Sequence, residues 1–306
     1  MDIKKAKEFI YRNARPIELA LWNYYMEQGS IDDVLHNLSF YQNEDGGFGH
    51  ALEPDSFNPN SAPIETWQAT KILQQVGYGD SSHPIIQGIL RYLGSGEAFL
   101  EETGQWKGSV PENNNYPHAI WWSYEPDKEG EYSPNPSAAL AGFILCYAFE
   151  GSELWQKGKT LAQKSYQWLV ENYPIQEEHM LECYIQLYHY LREAEITDVI
   201  DMNDFKRCLI ELVSRHICYE AERWGKEYVP RPSRFIHGKQ SIFYKGNEEI
   251  VKQECEYLAK AQLEDGSFAV PWEWYSDYKE FELAKNWWKA IMILENVVFW
   301  EEFHLC

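Results

Sequence analysis

The chain has little positive charge, and its cysteines are scattered. Its 306 residues include 27 Lys and Arg against 48 Asp and Glu, which gives a formal net charge of −21 at pH 7. Nucleic acid or an anionic membrane would be repelled, and the sequence has no basic stripe, so we expect neither as a partner. None of the six cysteines forms a C-x-x-C pair. That spacing favours reduced thiols and predicts a cytoplasmic protein.

Long apolar runs and familiar catalytic motifs are also missing. The longest strongly apolar run, residues 138–149, is too short to cross a bilayer, and the N-terminus has no apolar segment typical of a signal peptide. The sequence has no Walker loop, G-x-G-x-x-G, G-x-S-x-G or H-E-x-x-H. His216 and Cys218 could supply only two of the three or four ligands that zinc needs. We therefore predict no metal and no cofactor.

Aromatic residues, by contrast, are abundant. The chain has 13 Trp, 21 Tyr and 14 Phe, which together make up 16% of its residues. Tyr and Trp join an apolar body to a polar tip, which suits the wall of a ligand cavity. The same residues also suit the packing of long helices in two layers, and the composition leaves both interpretations open.

A short motif occurs twice. Residues 42–49 read Q-N-E-D-G-G-F-G, and residues 262–268 read Q-L-E-D-G-S-F. Each copy follows an apolar-periodic run and precedes a predicted helix. Because glycine behind an acidic pair ends a helix and readily takes a positive φ, each copy predicts a turn between two helices. The chain therefore contains an internal repeat.

This motif resembles the repeat of the terpenoid cyclase and protein prenyltransferase superfamily, whose helical hairpins close into an α/α toroid. The resemblance implies an all-α fold of inner and outer helices, with residues 1–306 as one toroid domain. In such a toroid the four aromatic and acidic loops of this chain would converge on one mouth. The leading hypothesis is therefore an enzyme with an aromatic, acidic central cavity that takes a small-molecule or oligomeric ligand, with an isoprenoid as the expected substrate. In that family the Gln and the Gly-rich turn serve mainly as a structural clamp. The family's D-x-D-D and D-D-x-x-D motifs are not present here.

Apolar periodicity and capping residues predict about ten or eleven helices, of which ten can be placed. They lie at residues 17–26, 30–41, 64–76, 84–93, 137–149, 152–172, 176–192, 203–216, 246–262 and 281–300. Ser30 and Asp33 form a predicted capping box, which makes the adjacent Asp pair a helix start and not a magnesium site. Ser152 and Asn203 are the expected caps of two later helices. The small residues after Pro136 predict close helix packing.

Four residues in and after the first repeat are the candidate catalytic groups. His50 could act as a general base or orient another group, since its unperturbed pKa lies near neutrality. Glu53 and Asp55 could supply acid chemistry, with Glu65 below them in the first turn of the next helix. For each residue there is also a structural interpretation, in which His50 braces the turn and the three carboxylates cap or brace the loop.

The candidate substrate-binding residues lie in other aromatic or basic segments. They are Trp67, Trp121, Trp122, Tyr124, Arg231, Arg234, Trp272 and Trp274. The arginines would bind an anionic group if their loop faces the cavity, and otherwise pair with carboxylates. Alternating acids and aromatics also suit a carbohydrate-active enzyme, which needs two carboxylates and flat apolar platforms. A toroid that binds a ligand or peptide without turnover is a third possibility. The sequence does not indicate the oligomeric state.

Overall fold

The computed structural model describes residues Met1–His304, and it is helical almost throughout. Its α-helices in chain order are α1 (Ile3–Asn13), α2 (Pro16–Met26), α3 (Ile31–Ser39), α4 (Pro63–Gln75), α5 (Pro84–Ser95), α6 (Ser137–Tyr147), α7 (Glu153–Glu171), α8 (Glu178–Glu193), α9 (Met202–His216), α10 (Glu248–Ala261) and α11 (Phe281–Phe303). Two-residue strands β1 (Phe99–Leu100) and β2 (Gln105–Trp106) form an antiparallel hairpin. The all-α class is confirmed. Each of these helices is too short or too polar to span a membrane.

The capping signals were mostly interpreted correctly. The Ser30 hydroxyl accepts the Asp33 N–H at 3.1 Å and donates to the Asp33 carboxylate at 2.8 Å, which confirms the capping box. Ser152 caps α7 as predicted. The prediction for Asn203 was wrong, because α9 begins at Met202 and the Asp201 carboxylate accepts the first free N–H groups.

Helix α1 was not predicted. Only Ala6, Phe9 and Ile10 are buried in its eleven residues, so its apolar stripe is narrow. The Asp2 side chain caps the helix by accepting the Lys5 N–H at 3.1 Å. A charged helix of this kind is stabilised by packing against its neighbours, which a short sequence window does not reveal.

Residues Ser39–Leu212 form one compact unit, built around α6. Helix α6 contains no charged residue and packs against α7 and α8. The predicted close approach occurs at Gly142, where an added Cβ would lie 3.0 Å from the Cα of Leu187 in α8. Glycine at this position lets the two helix backbones nearly touch.

Residues Met1–Leu38 and Val213–Cys306 form the other compact unit. Helix α11 is its longest helix and contacts α1, α2 and α10. The two ends of the chain therefore belong to the same unit, whose core combines residues such as Phe9, Trp22, Ile293 and Val297.

The first copy of the repeat is a turn held by its glutamine. The Gln42 amide donates to the carbonyl of Gly46 at 2.9 Å and to that of Ile85, in the first turn of α5, at 3.0 Å. Gly46 has a φ of +97°, and a Cβ at this position would collide with the backbone carbonyl of Gly88. Only glycine meets both conditions.

The second copy has the same geometry in the other unit. The Gln262 amide donates to the carbonyls of Gly266 at 3.0 Å and Asp2 at 3.1 Å, and its oxygen accepts the Asp2 N–H at 2.7 Å. Gly266 has a φ of +90° and lies against the carbonyl of Lys5. The turn thus holds the N-terminus of α1, as the first copy holds the start of α5.

A third, degenerate turn was not recognised in the sequence. Gly104 has a φ of +59° and stands two residues before the buried Trp106, as Gly46 stands before Phe48. The Trp106 N–H donates to the hydroxyl of Ser137 in α6 at 2.9 Å, and the Phe48 N–H donates to that of Thr66 in α4 at 3.1 Å. The glutamine is missing here, and the shared signal is glycine followed two residues later by a large aromatic residue.

Alanine substitution at two positive-φ glycines should separate backbone strain from the close contact. Gly77 has a φ of +65° with nothing within 4 Å of an added Cβ, whereas Gly46 lies against Gly88. Both substitutions incur left-handed strain, but only Gly46→Ala also collides, so we expect it to lower the free energy of unfolding by about 1–3 kcal/mol more than Gly77→Ala. Urea unfolding midpoints measure the difference, and equal losses would contradict the clamp geometry.

Candidate functional site

The loop after the first repeat turn has an unusual backbone. His50 and Ala51 both adopt positive φ, at 60° and 59°. This conformation costs free energy in residues other than glycine, and such positions concentrate at functional sites. The loop is held at both sides of the bend, because the Gly49 N–H donates to Tyr41 and the His50 N–H donates to Asn58.

Three of the four predicted catalytic residues are buried. Glu53, Asp55 and Glu65 expose 4%, 3% and 1% of their surface. The Glu65 carboxylate accepts the backbone N–H of Glu53 at 2.7 Å, which joins the loop to the first turn of α4. One turn further along α4, the Gln68 amide donates to the Glu53 carboxylate at 2.7 Å. The structure thus brings Glu53 and Glu65 together, and Gln68 is a member of this group that was not predicted.

His50 is placed differently. Its side chain is exposed, and its Nε2 lies 2.9 Å from the Asn43 amide oxygen in the repeat turn. The Asn43 amide nitrogen donates to the carbonyl of Pro59 at 3.0 Å. The imidazole therefore belongs to the contacts that connect the turn to the far side of the loop.

Trp67, on α4, belongs to a polar network with α8. Its indole N–H donates to the Gln186 amide oxygen at 2.5 Å, and the Gln186 amide nitrogen donates to the hydroxyls of Thr70 at 3.3 Å and Tyr190 at 3.2 Å. Lys71 lies over the Trp67 ring, 4.5 Å from its centroid. This network fixes the register between the two helices near the buried carboxylates.

A second loop packs against the carboxylate loop. The Ala119 N–H donates to the Asp55 carbonyl at 2.9 Å, and the Asn58 amide donates to the Asn113 side chain at 2.8 Å. Trp121 is 42% exposed, two residues beyond Ala119. Trp122 is half-buried, and its carbonyl accepts from Asn113 at 2.9 Å. An exposed indole is therefore held close to the acidic loop.

The rest of that loop is braced by side chains. His118 Nδ1 lies 2.7 Å from the Tyr116 carbonyl, so Nδ1 carries the proton and Nε2 accepts the Ser123 hydroxyl at 3.0 Å. The backbone N–H groups of Ser123 and Tyr124 are both engaged, by Ile120 and Asn114. The Ser–His pair therefore braces the loop and does not present a ready oxyanion site.

Tyr124 belongs to a cluster at the far end of this loop. Its hydroxyl donates to Glu129 at 2.7 Å, and Lys107 pairs with the same carboxylate at 2.7 Å. These two contacts hold the pKa of the Glu129 carboxyl below its usual range. Tyr124 is thus engaged with its own loop.

The remaining candidates lie in the unit that contains both chain ends. Arg231 pairs with the fully buried Glu254 at 3.3 Å. The Arg234 guanidinium lies 3.5 Å from the Tyr228 hydroxyl, and Tyr228 packs edge-on against Trp272 with ring centroids 5.5 Å apart. Tyr228 therefore links Arg234 to Trp272, whereas Arg231 pairs with Glu254.

Trp274 is a core residue with 1% of its surface exposed. It also contributes to the wall of an open depression of about 620 Å³, which is lined by residues 273–279, 281 and 282. This depression belongs to a single stretch of chain. Among residues 1–304 we find no group of three or more His, Cys, Asp or Glu side chains able to hold a metal ion.

Two further polar residues of this unit were not predicted. Glu254 lies among Ile250, Val251 and Leu258 on the buried face of α10, and Asn296 lies within the apolar part of α11. A polar residue on the apolar side of an amphipathic helix is visible in the sequence, and this signal would have identified both. Ser233 donates to Glu254 through its hydroxyl at 2.5 Å and its N–H at 2.7 Å.

The Glu254 carboxyl should make stability depend on pH. Burial raises its pKa above the usual 4.5, while Arg231 and Ser233 oppose the shift. A carboxyl whose pKa is higher in the folded state than in the unfolded state stabilises the folded protein while it is protonated. This stabilisation is fully present below the pKa of the unfolded state and is lost as the pH rises through the pKa of the folded state. The stability of the wild type relative to Glu254→Gln should therefore fall as the pH rises above the usual carboxyl pKa of 4.5. Urea midpoints of both proteins test this.

Glu256→Gln is the matched control for that series. Glu256 lies two residues away on α10 and is exposed, so its substitution should leave the difference from wild type nearly constant over the same pH range. A Glu254→Gln difference that rises with pH would show that the Arg231 pairing outweighs the cost of burial.

Comparisons of the chain with protein-family models, with characterised proteins and with solved structures found no match.

Proposed function

We propose that the chain is an acid–base enzyme of the terpenoid cyclase kind, with residues 1–306 as one α/α-toroid domain in the cytoplasm. Glu53 and Asp55 exchange protons with a neutral substrate, and an isoprenoid is the substrate class. Glu65 is a positioning residue, because it holds the backbone of Glu53. His50 orients the loop through Asn43.

The observation that carries this proposal is the burial of three carboxylates within one loop and the helix turn beside it. Each exposes 4% or less of its surface. Burying carboxyl groups costs free energy, so three of them in one place call for a reason beyond surface charge. The adjacent left-handed pair His50–Ala51 adds strain in the same loop. Strained backbone of this kind concentrates at functional sites.

The chemistry needs no added cofactor. The carboxylic acid transfers its proton to a carbon of an alkene, which leaves a carbocation on the substrate. Aromatic faces stabilise such a cation through their quadrupoles. The resulting carboxylate, or its neighbour, then removes a proton from an adjacent carbon and forms a new double bond. The net reaction moves the double bond, and the proton is returned to the pair of acids. Where a second double bond of the substrate attacks the carbocation before the proton is lost, a ring forms instead.

The choice of an isoprenoid is supported by the repeat. Both copies use the glutamine and glycine in the same way, which is the structural use that the resemblance implies. The aromatic content of 16% also suits an apolar substrate.

A carbohydrate is the second candidate substrate, and one observation favours it. Trp121 presents an exposed ring on a loop whose Ala119 N–H is bonded to the Asp55 carbonyl. A flat apolar platform next to paired acids is the arrangement that glycosidases use to bind and protonate a sugar.

Substitution of the two proton-exchanging acids should abolish turnover without unfolding the protein. We expect Glu53→Gln and Asp55→Asn each to lower the rate by about 10²–10⁴-fold, the usual contribution of general acid–base catalysis. Mass spectrometry detects products from three substrate sets: neutral isoprenoids, prenyl diphosphates with magnesium, and oligosaccharides. Melting temperatures of the same samples report on folding.

Glu44→Gln is the control, because Glu44 is an exposed acid in the repeat turn of the same unit. It should keep the wild-type rate. Products only from oligosaccharides would replace the isoprenoid with the second substrate class. Ligand binding without any product, or a large loss of melting temperature in both acid variants, would show that the carboxylates bind or brace and do not catalyse.

A further inference from the structure

The Asn296 amide nitrogen is a buried donor whose orientation is fixed. Asn296 has no exposed surface, and its amide oxygen accepts from Nη2 of Arg231 at 2.7 Å. Arginine can only donate, so the oxygen must face it and the NH₂ group must face the other way. Within the described chain this NH₂ group has no hydrogen-bond partner. An unmet buried donor of this kind destabilises the fold unless something else accepts from it.

Arg231 offers further donors beside it. Its Nε lies 3.3 Å from Glu254 and one Nη2 hydrogen is used by Asn296. A guanidinium has five N–H bonds, so three are engaged by neither residue. The side chain is 17% exposed, so part of it reaches solvent. Glu254, which Ser233 holds by two hydrogen bonds, contacts Nε and therefore restricts the direction of the guanidinium plane.

Trp272 supplies another unmet donor. Its indole nitrogen is buried without a hydrogen-bond partner among residues 1–304. The ring packs edge-on against Trp288 of α11, with ring centroids 5.2 Å apart. Trp288 and Asn296 are eight residues apart on α11, which places them about 12 Å apart along the helix axis and about 80° apart around it. Tyr228, which contacts Trp272, precedes Arg231 by three residues. Residues 228–231 therefore connect Trp272 to Arg231 along the chain.

The charge of this segment differs from that of the whole chain. Residues 223–245 contain six Lys or Arg and one Glu, a local balance of +5 within a chain of −21. The positive charge of this segment matches its hydrogen-bonding groups, since the unpaired groups of Arg231, Asn296 and Trp272 are all donors. A ligand that satisfies them must bring acceptors, and negative charge is favoured.

We propose that Arg231, Asn296 and Trp272 form a binding site for a small organic oxyanion, a carboxylate or a phosphate that carries an aromatic or apolar body. The oxyanion accepts from Arg231 and from the Asn296 amide, and its body lies towards Trp272 and Trp288. The Arg231 fork suits the paired oxygens of either anion. The site is independent of the carboxylates assigned to catalysis above and lies in the other compact unit.

Phenyl phosphate and benzoate test the site directly. In protein labelled with ¹⁵N at its tryptophan indoles, the Trp272 signal is assigned by its loss in Trp272→Phe. We expect this signal to move on addition of either anion and calorimetry to give a dissociation constant below about 1 mM. The tighter of the two probes identifies the oxyanion. Neutral phenol should leave the Trp272 signal in place.

Asn296→Asp is the sharpest variant. It keeps the oxygen that accepts from Arg231 but replaces the buried NH₂ donor with an acceptor of the wrong charge, so we expect affinity for both anions to fall at least about tenfold. Arg231→Lys, which keeps the charge but loses the fork, should weaken binding likewise. Arg215→Gln removes an exposed cation from α9 and should bind as wild type.

Two results would overturn the site. One is the absence of any Trp272 shift with either anion at about 10 mM, well above the expected dissociation constant. The other is wild-type affinity in folded Asn296→Asp, or in Arg231→Lys if Asn296→Asp does not fold. Unchanged indole signals from the other tryptophans establish folding in each variant. Loss of catalytic turnover in Glu53→Gln has no bearing on these outcomes.

Discussion

The hydrogen bonds of one glutamine side chain determine how the chain turns from helix to helix. In each copy of the repeat the amide nitrogen donates twice, once to the carbonyl of the turn glycine and once to a carbonyl at the start of another helix. One side-chain amide thereby joins the turn to the first residues of another helix. Glycine is required beside it because its backbone presses against that helix at a positive φ. The loop that follows the first copy starts from a fixed point, which makes the strained pair His50–Ala51 tolerable.

Local signals in the sequence identified the features that depend only on neighbouring residues. The capping box of Ser30, the turn at residues 42–49 and the small-residue surface at Gly142 could be predicted because each is determined by a few consecutive side chains. The cap of α9 was assigned to Asn203 instead of Asp201, because two adjacent polar residues both have the chemistry of a cap and only the helix start decides between them.

Features that depend on distant contacts were missed for a physical reason. Helix α1 has a narrow apolar stripe and packs against α11, which lies far away in the sequence. The turn at Gly104 keeps the backbone of the repeat without its glutamine. Of the catalytic candidates, Glu53, Asp55 and Glu65 could be named from their loop, but their burial and the contact with Gln68 required the structure. Asn296 becomes meaningful only once Arg231 is seen to face it.

The two groups of buried polar residues select opposite chemistries. Glu53, Asp55 and Glu65 concentrate carboxylates, which repel an anion and can exchange protons with a neutral molecule. Arg231 and Asn296 concentrate donors, which an anion satisfies and a neutral apolar molecule does not. Because burial strengthens both preferences, neither group can substitute for the other. The net charge of −21 adds to the first preference and works against the second, so the fixed pairing of Arg231 with Glu254 and Asn296 is what holds the donor group in place.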